Sequence, residues 1–284
     1  MNCATSPNTM VVLPQRKKKR QRVAVAANNG TIKWLQMRKN EVQVGADVQL
    51  DKPISSVSLD NDHLFLSAEQ SIHGFRRKGK EFYRLDSIMS ETIKNFVVDP
   101  SKDTLWCAGD YVLNKYVASA EKGFFMAEDK INAMIVAHVS STSGRDAILG
   151  CQDRTIRVVT DNDELYAAEV EGAVTALFIY QKKEDSKDGD LKIVYGTQNG
   201  IFGCLSMREN NYSELWQVNE KKTMMSSNQN DEEDYDEQQD PASMVQCISV
   251  FDFTRDGLPE VLVGRDNGNI EIYGFDADAN EPNI

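Results

Sequence analysis

The segment PEVLVGRDNGNIEIYGFD, residues 259–276, decides the fold of this chain. An apolar run at 261–263 ends at Gly264, the polar turn RDNG follows at 265–268, and a second apolar run then contains Ile270, Ile272 and Tyr273. Asn and Gly both tolerate the positive φ angles of tight antiparallel turns, so the segment predicts a β-hairpin.

Five further copies of this pattern precede the hairpin. In each, an apolar strand ends at a small residue and a second strand follows after a short turn; the small residues lie at positions 26, 67, 108, 150, 196 and 264. The step between them is roughly 41 to 46 residues, except for the last, which is about 68; a period near forty is typical of β-propeller blades. Because one blade cannot bury both of its faces, neighbouring blades must stack. The sequence therefore predicts an all-β chain, a β-propeller with about six four-stranded blade units.

We expect one propeller domain over residues 1–284, with the motif strands second and third in each blade. Helices at Val57, Phe96, Met134 or Leu177 would contradict this order. The sixth unit is expected to lack a fourth strand. The predicted blade units are residues 9–50, 54–86, 92–127, 131–170, 173–218 and 244–276.

The long last step is explained by an insertion at residues 222–241. This tract is rich in Asn and Gln and has seven acidic residues between Asp231 and Asp240. Such a tract cannot bury enough apolar surface to order itself, so we expect it to be disordered and dispensable for folding. It contributes much of the net charge of −12. A chain with this charge is not a general nucleic-acid binder, because phosphate contact needs a basic surface.

The cysteines and the apolar runs favour a cytosolic protein. The five cysteines, at 3, 107, 151, 204 and 247, form no C-x-x-C pair, and four lie in or beside predicted strands, as expected of buried thiols. The first residues lack the apolar core of a signal peptide. No stretch approaches the roughly 18 apolar residues of a membrane span.

Motifs of catalysis are missing from the sequence. It contains no G-x-S-x-G, G-x-G-x-x-G, P-loop or H-E-x-x-H pattern. His63, His73 and His138 each lie singly in or beside a predicted strand, as structural histidines do. We therefore predict no catalytic residues and no cofactor. A propeller oxidoreductase that uses a quinone or a metal is the alternative, and it would need polar ligands converging at the ring centre.

A basic turn follows the second motif strand pair. Arg76, Arg77, Lys78 and Lys80 surround Gly79 and concentrate positive charge in one loop. These four residues are the candidates for an interaction with a partner. An ordinary glycine-containing hairpin turn, kept soluble by its charges, is the other interpretation.

A second loop is similar to a metal site. Asp252, Thr254, Asp256 and Glu260 occupy relative positions 1, 3, 5 and 9, with Gly257 at position 6. This pattern resembles the calcium loops of integrin-type propellers, where alternate oxygens converge on a hard cation. Position 3 is a weak threonine ligand here, and Arg255 adds a positive charge. We therefore predict a hydrogen-bonded turn and no metal.

Several uncommon strings carry a resemblance to a known family. Over roughly residues 5 to 282 the chain is similar to the amino-terminal propeller of the Bardet–Biedl syndrome 7 family. The strings are IHGFRRKGKEF at 72–82, DKIN at 129–132, CQDRTIRV at 151–158, NEKK at 219–222, and LVGRDNG at 262–268 continuing to ANEP at 279–282.

The resemblance implies a non-catalytic scaffold or adaptor subunit of the BBSome, the coat-like complex that moves membrane proteins into and out of cilia. The implied partners are other BBSome subunits and, indirectly, ciliary membrane-protein cargo, with no nucleic acid and no insertion into a membrane. The implied locations are the cytoplasm, the cilium, the ciliary membrane and the ciliary base with its basal body or centrosome. A propeller adaptor outside cilia is an alternative.

The resemblance also implies a ring that these six units leave incomplete. Family members continue into one more blade-like repeat, a coiled coil and further domains, so the family's ring would have seven blades. Apolar blade faces beside the missing blade would lie in water, and such faces drive association. We therefore expect the isolated chain to self-associate.

Overall fold

A computed structural model describes residues 4–6, 8–14, 22–38, 41–45, 48–60, 63–76, 79–99, 103–142, 144–181, 189–219, 243–275 and 282–283. These residues form strands and turns, and no helix in the described ranges is long and apolar enough to cross a membrane. The predicted all-β propeller fold is confirmed: in the described residues the strands form six antiparallel sheets, and in five of them the strands follow one another in chain order. The chain divides into two compact units, Met1–Glu128 and Asp129–Ile284.

The first unit contains three sheets. Its first sheet has the path β1-β2-β3-β4, with β5 paired to β3. The strands are β1 (Met10–Leu13), β2 (Arg22–Ala26), β3 (Thr31–Arg38), β4 (Glu41–Val44), β5 (Val48–Gln49), β6 (Ile54–Asp60), β7 (His63–Ala68), β8 (Ser71–Phe75), β9 (Glu81–Asp86), β10 (Asn95–Asp99), β11 (Thr104–Ala108), β12 (Val112–Val117) and β13 (Ala120–Met126).

The second unit contains the other three sheets. Each has four strands in the same order as in the first unit. The strands are β14 (Ile131–Ala137), β15 (Asp146–Cys151), β16 (Thr155–Thr160), β17 (Asp163–Glu169), β18 (Val174–Gln181), β19 (Leu191–Thr197), β20 (Phe202–Met207), β21 (Tyr212–Val218), β22 (Val245–Phe251), β23 (Glu260–Arg265), β24 (Ile270–Phe275) and β25 (Pro282–Asn283).

The strand order within the sheets agrees with the repeat. The residues at 26, 67, 108, 150, 196 and 264 all lie in the second strand of a sheet, and the positions that would have excluded the order lie in first strands. The expectation that the sixth unit lacks a fourth strand was wrong, because β25 pairs with β24. Two extended residues suffice for this pairing, and Pro282 cannot donate a ladder hydrogen bond that would lengthen it.

The hairpin turns differ from a two-residue turn with two positive φ angles. Gly30, Gly200 and Gly268 have φ angles of 82°, 84° and 89°, whereas the asparagine before each is not among the residues with positive φ. The backbone N–H of Gly268 donates to the carbonyl of Arg265, and Arg265 N–H donates to the carbonyl of Asn269. This is the longer hairpin loop in which glycine alone takes the left-handed conformation. Arg265 consequently ends β23 and is not a turn residue.

The core lies between neighbouring sheets in each unit. Every residue of β11, β15 and β20 is buried, as expected for middle strands covered on both faces. Ile148, Val158 and Ile193 are fully buried where the fourth and fifth sheets pack. Burying such a side chain stabilises the fold by about 1.5–3 kcal/mol. Apolar contact between sheets therefore holds each unit together.

Side-chain hydrogen bonds also link successive sheets. The second residue of a first strand donates to a carbonyl at or just before the start of the next sheet: Ser55 to Ile93 at 2.7 Å, Asn132 to Val174 at 3.0 Å and Thr175 to Val245 at 2.6 Å. The sequence carries a signal for this contact that our sequence analysis missed. An apolar residue followed by Ser, Asn or Thr opens these first strands.

The cysteine prediction is confirmed for three residues and wrong for one. Cys107, Cys151 and Cys204 are buried, whereas Cys247 is exposed. Cys247 lies on the face of β22 opposite to Ile248 and Val250, which pack against the fifth sheet. Cys3 and the insertion at 222–241 lie outside the described residues.

Candidate interaction surfaces

The basic turn connects β8 and β9. Arg76 N–H donates to the carbonyl of Lys80, and Gly79 adopts the left-handed φ of 78° that the turn requires. The side chains of Arg76 and Lys80 are exposed, and the Arg76 guanidinium lies 5.7 Å from the centre of the Phe82 ring. The structure therefore places these two predicted contact residues together on the surface. Arg77 and Lys78 lie outside the described residues.

The loop at 252–260 brings three carboxylates together. Oxygens of Asp252, Asp256 and Glu260 all lie within 4.8 Å of one another, and this is the one such group found in the described ranges. Backbone N–H groups already occupy all three: Gly257 donates to Asp252, Leu258 to Asp256 and Phe253 to Glu260, at 3.1, 2.9 and 2.6 Å. The Thr254 hydroxyl donates to Glu260 and, with Phe253 N–H, holds the pKa of that carboxyl low. The loop is thus arranged by its own hydrogen bonds.

We predict that this loop does not bind calcium at micromolar concentration. A cation would have to displace these hydrogen bonds, and the two exposed aspartates and a threonine supply a weaker field than charge-rich calcium loops. Calorimetric titration and melting temperature should show no saturable event. A clear thermal shift with calcium that Asp256→Asn abolishes would overturn the prediction.

The histidines have separate structural contacts. His73 Nδ1 lies 2.8 Å from a Glu81 oxygen, and His138 Nδ1 lies 2.8 Å from the Gly144 carbonyl oxygen. The His63 ring lies 4.7 Å from the ring of Phe82. Each contact lies within one sheet and its loops. No sheet in the described residues therefore contains all three histidine rings.

Two arginines of the family-like strings form salt bridges within their sheets. In the string at 151–158, Arg157 binds Asp153 at 2.5 Å and Glu164 at 2.7 Å. In the string at 262–268, the Arg265 side chain is 1% exposed and binds Glu271 through Nε at 2.8 Å. The sequence pattern instead placed Arg265 in the polar turn at 265–268. These pairs give the strings a structural role in the fourth and sixth sheets.

A pocket of about 140 Å³ lies between the second and third sheets. Phe65, Leu105 and Tyr116 form its floor and are only 3–5% exposed. Phe82, Asp103 and Ser119 lie at its mouth and are exposed. No sequence pattern predicted this pocket, because its residues come from two blades and share no motif.

One face of the first sheet is apolar and exposed. Val12, Val23, Leu35 and Val44 stand opposite one another across β1 to β4, in register. The same face carries Met10, Met37 and Val42, and its five outermost apolar residues are 57–65% exposed. The opposite face, with Leu13, Ala24 and Ile32, packs against the second sheet. This surface is called the first-sheet face below.

The sixth sheet likewise has one exposed apolar face. Cys247, Gly264 and Ile270 form one row across it, and Ser249, Leu262 and Ile272 form the next. Ile270 is 75% exposed and Phe251 is 46% exposed. Tyr273 and Val261 occupy the other face and pack toward the fifth sheet. The sixth sheet therefore also presents apolar side chains on one exposed face.

Two curated relatives cover almost all of this chain. It is 28% identical over 286 residues to the BBSome complex member BBS7 of Mus musculus, covering 98% of this chain and 37% of the relative. It is 21% identical over 283 residues to the BBSome complex member bbs-7 of Caenorhabditis elegans, covering 96% and 36%. The chain thus spans little more than a third of the length of these relatives.

Solved structures and a family model extend this comparison. The WD40 β-propeller domain of Doa1 matches with a TM-score of 0.66 and 12% identity, covering 99% of this chain and 82% of that one. BBS1N, solved in complex with ARL6DN, matches with a TM-score of 0.64 and 10% identity, covering 95% and 79%. At these identities the likeness shows the fold alone. The model of the BBS7 β-propeller family matches residues 10–283, and the protein therefore belongs to that family.

Proposed function

We propose that this chain is the propeller module of a BBSome subunit and serves as a non-catalytic scaffold. The observation that carries the proposal is the family match over residues 10–283. Both curated relatives are named as BBSome complex members, and each aligns with at least 96% of this chain. In this role residues 1–284 act as one domain that holds neighbouring proteins and supports the traffic of membrane proteins to and from the cilium.

The proposed partners are other BBSome subunits and, indirectly, ciliary membrane-protein cargo. The fold suits this use, because a propeller of similar fold, BBS1N, was solved in complex with ARL6DN. The exposed basic turn with Arg76 and Lys80 offers positive charge to an acidic partner surface, on a chain that is acidic overall. The proposed locations are the cytoplasm, the cilium and the ciliary base. The proposal includes neither nucleic-acid binding nor insertion into a membrane.

The local chemistry favours a scaffold over a propeller oxidoreductase. The side chains best suited to acid–base or metal chemistry are held by structural partners: His73 by Glu81, and Glu260 by Thr254 and Phe253. Both carboxylate oxygens of Glu260 accept hydrogen bonds, one from Phe253 N–H and one from the Thr254 hydroxyl, so a metal ion would have to compete with these donors. The basic turn, in contrast, is presented outward.

Affinity capture from ciliated cells tests the proposal. Tagged protein is expected to retain BBSome subunits, and Arg76→Glu with Lys80→Glu is expected to weaken the retention of at least one of them. Lys122→Glu, an exposed lysine on β13, is the matched control and should change nothing. Capture without any BBSome subunit would overturn the proposal. Accumulation of the tagged protein away from cilia would favour an adaptor that acts elsewhere.

A further inference from the structure

The pocket between the second and third sheets has a distinctive lining. Four aromatic rings contribute to it: Phe65, Phe82, Tyr83 and Tyr116. Phe65 meets both Phe82 and Tyr83 edge-on, at centroid distances of 5.7 and 5.9 Å. The charged side chains in the described lining are the carboxylates of Asp99 and Asp103, and no lysine or arginine is among them. Aromatic faces and carboxylates both attract positive charge.

We propose that this pocket receives a basic side chain, an arginine above all, from a partner polypeptide. The planar guanidinium can stack on an aromatic ring while it donates hydrogen bonds to a carboxylate, a combination that a compact ammonium group makes less well. The inference rests on the pocket alone. It does not depend on which complex the chain joins.

The size of the pocket fits one side chain. Sites for drug-sized ligands and cofactors occupy about 300–1,000 Å³, whereas this pocket has about 140 Å³. Its floor is almost fully buried and its mouth is exposed, so a side chain can enter while its backbone stays outside. One side chain of a polypeptide therefore fits this pocket, whereas a free cofactor does not.

A guanidinium already lies on one of these rings. Arg76 reaches over Phe82 at 5.7 Å from the ring centre. This contact shows that the ring of Phe82 pairs with a cation of the proposed chemistry. The side chain of Arg76 is not part of the pocket lining. At the mouth of the pocket the exposed carboxylate of Asp103 faces solvent, where an incoming basic group can reach it.

The rim of the pocket is held in place from both sheets. Ala118 and Ser119 adopt φ angles of 51° and 62° in the turn between β12 and β13, a conformation that non-glycine residues take at some cost. Burial raises the pKa of Tyr83, and a hydrogen bond with Ser119 partly offsets this effect. This bond joins β9 to the turn of the next sheet. The turn thereby fixes the ring of Tyr83 at the pocket.

Titration of the whole chain with a single arginine derivative tests the proposal. The probe is Nα-acetyl-arginine methylamide, and its neutral counterpart is Nα-acetyl-citrulline methylamide, which has nearly the same shape without the charge. NMR of protein labelled at phenylalanine and tyrosine reads out the pocket rings. We expect saturable shifts of these rings with the arginine probe and binding about tenfold weaker with the citrulline probe.

Two variants and one control complete the test. Asp103 has a φ of 49°, which asparagine also tolerates, so Asp103→Asn removes the charge without backbone strain. We expect Asp103→Asn and Phe82→Leu each to weaken arginine binding about threefold or more. Tyr111→Leu removes an exposed ring outside the pocket and should leave binding unchanged. Absence of saturable shifts, equal binding of both probes, or shifts confined to other rings would overturn the proposal, and Asp103→Asn remains informative if Phe82→Leu fails to fold.

Discussion

Replacing Arg265 with methionine is expected to lower the free energy of unfolding by about 3–5 kcal/mol. The Arg265 side chain is 1% exposed and binds Glu271, and its Nη1 donates to the carbonyls of Gly200 and Ser243 at 2.8 and 3.0 Å. Methionine fills part of the space but leaves a carboxylate and two carbonyls without this donor. For a chain of this size the melting temperature should fall by roughly 6–20 °C.

Two further variants make this expectation specific. Arg84 forms an ion pair of similar length with Asp86, at 3.0 Å, but both side chains are more than half exposed. Arg84→Met should therefore leave the melting temperature unchanged within error, because water screens and replaces the pair. Adding Glu271→Leu to Arg265→Met removes the carboxylate that has lost its arginine partner and should restore part of the loss. An equal effect of Arg84→Met and Arg265→Met would contradict our reasoning.

The isolated chain is expected to self-associate through the first-sheet face. This face presents a continuous apolar row of Val12, Val23, Leu35 and Val44, flanked by three more exposed apolar side chains. Exposed apolar patches of this kind mark association sites. We expect Val12→Lys with Val44→Lys to convert the associated chain to a monomer. Size-exclusion chromatography with light scattering measures the change.

A lysine elsewhere on the surface provides the control. Ile88 is 76% exposed but does not belong to the first-sheet face, so Ile88→Lys should leave the association unchanged. The control adds one lysine, whereas the test variant adds two. Val12→Lys alone is therefore measured as well, because it adds the same charge as the control. A monodisperse, thermostable monomer of the unsubstituted chain would show that the face is stable in water without a partner.

The repeated strands could be predicted because they follow from local chemistry. An apolar run that ends at a small residue and a polar turn recurs at nearly constant spacing, and stacking of blades demands that period. The first strands of the repeats, which contain residues such as Val57 and Phe96, could be predicted for the same reason. The short strand β25 could not be predicted, since two residues carry no periodicity. The basic turn could be located, but the contact of Arg76 with the ring of Phe82 could not be predicted.

The burial of Arg265 and the aromatic pocket depend on contacts that the sequence does not reveal. Arg265 precedes Asp-Asn-Gly and looks like a turn residue, but the longer hairpin loop moves it into β23. Glu271, its partner, is a polar residue between two isoleucines and could have signalled the pair. The pocket joins β9 to β12 and its turn across two blades. Spacing along the chain cannot predict which side chains of adjacent blades meet.

Alkylation of the buried cysteines can report when each of their sheets opens. Burial raises the pKa of Cys151 and Cys204 to about 12 and raises that of Cys107 as well, so at neutral pH all three are protonated thiols shielded from reagents. Only a thiolate that reaches solvent is alkylated. Cys107 lies in the third sheet, Cys151 in the fourth and Cys204 in the fifth. The order in which they become alkylated therefore records which sheet opens first, while the exposed Cys247 marks the start of the reaction.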